Sequence, residues 1–227
     1  MARRPRRSHN GGPPLDDYDG PPWGQGDAYI FLAWQAAHAK AWKAPSRDVM
    51  LMRLERAERL GLLAALLVET VAGGGSVSFM HPLAQDAAEA FWRKSLAAAA
   101  RGERVVLGAW DSEVLAGTVT LLLDFPPNQP HRAEIAKLMT RLDRRGQGVA
   151  TRLMRAAEDI AVERSRTLLV LDTASEEGAS GLYEKLGFTL TGEIPDFALK
   201  PHGGLTGTLI YWKRIDASLQ SVDSGEA

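Results

Sequence analysis

The sequence has no cysteine. That excludes disulfides, thiolate metal sites, iron–sulfur clusters and any acyl-enzyme carried on sulfur. It also fits a reducing compartment. Long apolar runs are missing as well. The most apolar stretch, Leu60 to Val68, falls far short of the roughly 20 residues that span a bilayer. Net charge is nearly absent, because 27 basic and 28 acidic residues leave −1. No global field therefore draws the chain to nucleic acid or to an anionic membrane. Histidine is scarce, with five residues and no two of them at i, i+4, so no metal site can be read locally. Arg3, Arg4, Arg6 and Arg7 would suit the start of an export signal, but His9-Asn10-Gly11-Gly12-Pro13-Pro14 follows them in place of an apolar stretch. These absences predict a cytoplasmic protein with no metal, no nucleic-acid partner and no membrane segment.

What is present suits one ordinary globular domain with tails. Of 227 residues, 45% are apolar and 24% charged, enough to build a core. Residues 1–27 are rich in Arg, Gly, Pro and Asp and are expected to be disordered alone. Tyr29 to Trp42 carries Ile30, Phe31, Leu32 and Trp34 and predicts a short docking helix, broken at Pro45-Ser46. The division is therefore a loosely attached extension over 1–46, a domain over 47–215 and a polar tail over 216–227.

Within the domain the periodicity alternates. Asp48 to Glu55 reads as a strand. Ala57 to Val71 reads as a helix stopped by Gly73-Gly74-Gly75, and Pro82 to Arg101 as a second helix. Arg104 to Trp110 and Val114 to Asp124 form a hairpin around Asp111-Ser112. His131 to Thr140 is a strand. Gly146 to Arg164 is a long helix with Val149, Leu153, Ala157, Ile160 and Ala161 on one face. Thr167 to Asp172 holds an apolar run that predicts a central strand covered on both sides. Ala179 to Leu186 reads as a short helix, and Thr189 to Glu193 and Gly207 to Arg214 as closing strands. The order, β-α-α-β-β-β-α-β-α-β-β, predicts an α/β fold on a mixed sheet.

The most informative stretch joins the fourth strand to the long helix: Arg141-Leu142-Asp143-Arg144-Arg145-Gly146-Gln147-Gly148-Val149-Ala150-Thr151. The first N–H groups of a helix lack intrahelical partners and sit at the positive end of its dipole. Glycines let a pyrophosphate approach them, and the arginines add charge. This is an anion site by its physics. The spacing also invites comparison with a dinucleotide fingerprint, since Gly146-x-Gly148 precedes a helix and Asp172 closes the next strand. Against that, Thr151 stands where a third glycine belongs, and several residues separate the strand from the glycines. The unit also follows a hairpin and does not head a βαβ series.

Arg145-x-x-Gly148-x-Ala150 resembles the acetyl-CoA signature of the GNAT superfamily, Gln/Arg-x-x-Gly-x-Gly/Ala. Downstream, Ala179-x-x-x-Tyr183-x-x-x-Gly187-Phe188 resembles that family's second hallmark, and Glu113 to Gly117 the hairpin between its second and third strands. His131 to Met139, Leu171 to Thr173 and Gly192 to Asp196 are similar to the tabtoxin-resistance type of acetyltransferase. The resemblance spans about 48–214. It implies the acyl-CoA N-acyltransferase fold, with a splayed central sheet and helices on its flanks. One position departs from it: Glu176 stands where many members carry an Asn that contacts the CoA arm, so that contact is not transferred.

The resemblance also implies chemistry. Acetyl-CoA is the expected co-substrate, held by Leu138, Met139, Thr140 and the run Arg145, Gly146, Gln147, Gly148, Val149, Ala150 and Thr151. Tyr183 is the expected acid that protonates the leaving thiolate. Glu134, on the strand beside the cofactor, is the expected base, with His131 as a second candidate; Asp172 is expected to cap or orient the following loop. The implied acceptor is a small-molecule primary amine that attacks acetyl-CoA directly. Acetylation of a protein N-terminus or lysine, and a non-catalytic acyl-CoA-binding module, stand as alternatives. A homodimer is the expected assembly. The acceptor pocket is expected from about 60–82 and 194–210.

Overall fold

The computed structural model describes residues 49–54, 59–176 and 180–215. The expected extension over 1–46, its helix at 29–42, the tail from 216 and Ala179 lie outside the described residues. Seven strands form one sheet: β1 (Val49–Arg53), β2 (Arg104–Asp111), β3 (Val114–Leu122), β4 (Arg132–Thr140), β5 (Leu168–Ala174), β6 (Thr189–Leu199) and β7 (Leu205–Arg214). Their order across the sheet is β1-β2-β3-β4-β5-β7-β6. All neighbours run antiparallel except β4 and β5. Among the described residues four α-helices accompany them: α1 (Leu60–Ala72), α2 (Gln85–Ala100), α3 (Val149–Glu163) and α4 (Ser180–Lys185). The architecture is the expected mixed α/β sheet flanked by helices.

Local sequence accounts for most of these elements. The α1 helix buries Leu63, Leu67, Thr70 and Val71 at helical spacing. It ends where the amides of Gly73, Gly74 and Gly75 turn back onto carbonyls of residues 69–71, with Gly74 at φ 87°, a conformation glycine adopts without strain. The α3 face read from the sequence is buried in full. Burying each large apolar side chain contributes about 1.5–3 kcal/mol, so packing, more than propensity, holds this helix in place. The β2–β3 hairpin closes with Asp111 opposite Val114.

Two cores result, one on each face of the sheet. The first joins α3 and α4 to the strands through Leu153, Ile160 and Tyr183 with Ile135, Leu169 and Leu171. The second joins α1 and α2 through Leu67 and Trp92 to Val106, Trp110 and Met139. No β5, β6 or β7 residue enters the second core. This corrects the expectation for β5. The strand is central but covered on one face only, and Asp172 on its open face is exposed. The physical reason is that α1 and α2 pack over the β1–β4 half of the sheet.

Two further differences have local causes. The β6 strand continues past Glu193 to Leu199, but its register with β7 breaks between Ile194 and Ala198. Pro195 lies in that break, and it cannot donate to a ladder, so the alternation read from sequence stops early. In β4 the register with β3 shifts by one residue between Thr118 and Thr120, which pair with Met139 and Ala136. The extra residue lies next to Lys137, whose φ is 52°. A β-bulge of this kind reverses the side-chain phase beyond it. Ile135 therefore points into the first core and Met139 into the second.

Candidate active site

β4 and β5 pair only over Arg132–Ile135 with Leu168–Leu171. Beyond that the strands part, because the bulge turns β4 aside while β5 continues along β7 through Ala174. The gap opens into a cleft of about 840 Å³. One wall is Leu138, Met139 and Thr140 with the start of α3. The other is Asp172, Thr173 and Tyr183. The Gly73–Ser78 loop and the Phe197–Leu199 and Thr206–Thr208 segments close its remaining side.

The α3 wall is built from backbone. Gly148, at φ 78°, is the N-cap of α3, and no side chain caps the helix. Its first turn carries no acidic residue, so the first-turn amides of Val149, Ala150 and Thr151 face the cleft without intrahelical partners. A Cβ placed on Gly146 (φ 73°) or Gly148 would meet nothing within 4 Å. These positions keep open space over positive backbone. Arg144 and Arg145 line the same end. Arg144 is committed to Asp111 at 3.1 Å and Asp143 at 3.2 Å, and Arg141 to Asp143 at 3.1 Å. Arg145 is exposed and has no carboxylate within bonding reach among the described residues. Gln147 does not line the cleft; its Nε2 donates to the Asp143 carbonyl at 3.1 Å.

The opposite wall is built from side chains. Tyr183 is 6% exposed, with Tyr211 at 5.6 Å and Phe188 at 6.1 Å between ring centroids. Burial pushes its phenol up to about 12; hydrogen bonding with Thr173 pulls the other way, and the charge of Asp172 adds to the rise. The spacing Tyr-x-x-x-Gly-Phe has a plain cause. Gly187 sits at φ 81°, its amide bonds the Glu184 carbonyl, and the Phe188 amide returns to the Tyr183 carbonyl. That is a Schellman close. Lys213 Nζ completes the clamp, donating to the Leu186 carbonyl at 2.7 Å and to Glu158 of α3 at 2.8 Å.

Residues 77–188 match the model of the Acetyltransferase (GNAT) family. That segment belongs to the GNAT superfamily. Human N-acetyltransferase 8B is 36% identical over 87 residues, covering 37% of this chain and 38% of its own length. N-alpha-acetyltransferase 30 of Schizosaccharomyces pombe is 36% identical over 81 residues, covering 35% and 54%. The chain therefore spans about two fifths to half of these relatives. A Salmonella typhimurium structure solved with its cofactor acetyl-CoA shares the fold at a TM-score of 0.61 and 16% identity, covering 79% of this chain and 98% of that one.

The GNAT fold brings most of the sequence-derived residues to one cleft. Leu138 to Thr140, Arg145, Gly146, Gly148 to Thr151 and Tyr183 all line it. Glu134 does not. It sits before the bulge, and Arg132 holds its carboxylate at 3.1 Å. His131 is outside the lining too. Asp172, expected to serve a loop, lines the cleft and accepts a hydrogen bond from the buried Thr208 hydroxyl at 3.3 Å. Its one signal in the sequence was a carboxylate ending an apolar strand. Among the described residues no group of three or more His, Asp or Glu could hold a metal, and no helix is long and apolar enough to cross a membrane.

Proposed function

We propose that the chain is an acetyl-CoA-dependent N-acetyltransferase that acetylates a primary amine of a small molecule by direct attack in a ternary complex. The observation carrying this reading is that an uncapped helix N-terminus and a buried, protonated phenol face each other across one cleft. The fit to a pyrophosphate is good: open space above Gly146 and Gly148, unpartnered amides in the first turn of α3, and Arg145 nearby. Acetyl-CoA, when bound, supplies an activated thioester. The backbone of Leu138 and Met139, where the bulge interrupts the ladder, lines the cleft and would face the thioester arm. Tyr183 holds its proton at any physiological pH and gives it to the departing sulfur.

For the base, the geometry favours Asp172 over Glu134, because Asp172 is in the cleft and Glu134 is engaged with Arg132. Asp172 accepts the proton of the acceptor amine, and Thr208 orients its carboxylate. Similarity to the tabtoxin-resistance type over His131–Met139 and Gly192–Asp196 supports a small amino-acid-like acceptor, and a cleft of about 840 Å³ has room for one beside the thioester arm. The absence of cysteine supports a cytoplasmic setting. The exposed Leu190 and Ile194 on the outer strand β6 support a homodimer.

A second reading, acetylation of protein N-termini, draws on the local identity to N-alpha-acetyltransferase 30. Release of free thiol from acetyl-CoA against small amines and peptides decides between them. Turnover of small amines with intersecting initial-rate lines supports the first reading. Turnover of peptides alone overturns it, and parallel lines would remove the ternary complex.

A further inference from the structure

Lys137 is the residue the acetyl-transfer chemistry leaves unused, and its setting is unusual in three ways. It lies in the left-handed region at φ 52°, which side chains other than glycine seldom occupy. Such an outlier is kept only where the surroundings insist on it. Its ammonium is half-buried in the cleft wall, donating to Ser78 Oγ at 3.1 Å and standing 5.9 Å from the centre of the Phe91 ring. Ser78 is itself left-handed at φ 71°. No carboxylate comes within ion-pair distance of Lys137 among the described residues. Burial holds its pKa below the usual lysine range; Asp172 first and Glu134 second act against that shift from further off.

An ammonium has three donors, and here one hydroxyl takes one of them. A half-buried cation with spare donors attracts an anion. The phosphate end of the cleft is a separate region, made of the α3 amides and Arg145. The Lys137 end faces Ser78, Asp172 and Thr208. Its two charged side chains are of opposite sign, on neighbouring strands of one open sheet face.

We propose that Lys137 is a specificity residue that binds a carboxylate on the acceptor while Asp172 engages the acceptor's amine. The acceptor is then a small zwitterion with both groups. This rests on the reading of the cleft as a small-molecule acetyltransferase site.

The test uses the full chain, acetyl-CoA and matched acceptors: glycine, β-alanine, γ-aminobutyrate and lysine, each against its carboxamide. Thiol release gives kcat and KM. The wild type should favour the carboxylate member by on the order of ten- to a hundredfold in kcat/KM, the scale of one charge-assisted hydrogen bond. In Lys137→Gln that ratio should fall to about one, with the loss in KM, and Lys137→Arg should restore it. Active wild type that treats carboxylate and carboxamide alike overturns the role of Lys137 and leaves the small-molecule reading standing. Wild type that acetylates peptides, or none of the panel, overturns both. If Lys137→Gln does not fold, the wild-type comparison alone decides.

Discussion

At one end the cleft is lined by the backbone of residues 149–151; at the other it is lined by the side chains of Ser78, Lys137, Asp172 and Tyr183, drawn from four separate segments. The first end is contiguous in sequence and depends on backbone conformation, above all on Gly148 at φ 78°. The second is assembled by the sheet, and each contributor depends on a contact made elsewhere: Thr208 for Asp172, Lys213 for the helix bearing Tyr183. A site made of backbone tolerates changes of side chain and fails on changes of conformation. A site made of side chains behaves the other way round.

Substitutions can break or sharpen this contrast. The largest effect is expected from Gly148→Val, which puts a branched side chain at a left-handed position and a Cβ where the phosphate would lie. Losing two charge-assisted hydrogen bonds predicts at least a roughly hundredfold drop in acetyl-CoA affinity by calorimetry, with the fold retained in circular dichroism. Unchanged affinity in the folded variant would remove the phosphate assignment. Next is Asp172→Asn, which should lower kcat by about 10²–10⁴-fold. In the same assay Glu134→Gln should change little; a comparable loss of kcat from Glu134→Gln alone would transfer the base to that residue.

Tyr183→Phe should cost about 10²-fold in kcat with acetyl-CoA affinity unchanged, because the proton is needed only as sulfur departs. Its pKa gives a second signature. The folded value of about 12 lies above the ordinary 10.0, so the wild-type rate should show no falling limb from this group below pH 10. The contribution to stability is fully present below pH 10, where the unfolded ring is also neutral, and is lost as pH rises through 12. Denaturant titrations across that window should show a decline that Tyr183→Phe lacks. Smallest in catalytic effect is Gly117→Ala. Its Cβ would stand 2.7 Å from the Met139 carbonyl and 2.9 Å from Val149. Overpacking of this kind predicts a loss of about 1–3 kcal/mol and a Tm lower by roughly 3–10 °C, with acceptor selectivity unchanged.

The same contrast explains what could be read in advance. The loop and the Tyr183 segment were legible because each is closed by local rules: a glycine N-cap in one, a Schellman turn in the other. The helices were legible to within a few residues from periodicity and glycine stops. The end lined by side chains was not. Asp172 looked like the end of a strand buried on both sides, and only the position of α1 and α2 over the other half of the sheet leaves it exposed. Lys137 carried no signal of its own, since nothing in His131 to Thr140 announces an extra residue. Ser78 reaches Lys137 across 59 positions of sequence, and no local pattern carries such a contact.

The bulge in β4 also decides which changes of length the chain can bear. Upstream of it the strand feeds Ala133 and Ile135 to one core; downstream it feeds Met139 to the other. Replacing Lys137 alters a single side chain, but deleting it would restore strict alternation and exchange the faces of every residue from Leu138 to Thr140. Met139 would leave its place beside Trp92 and Trp110 and turn toward α3. A one-residue deletion here is in effect a frame change written in the pleat of the strand. It should be far more damaging than any substitution at the same position, and only a compensating insertion a residue or two away would undo it.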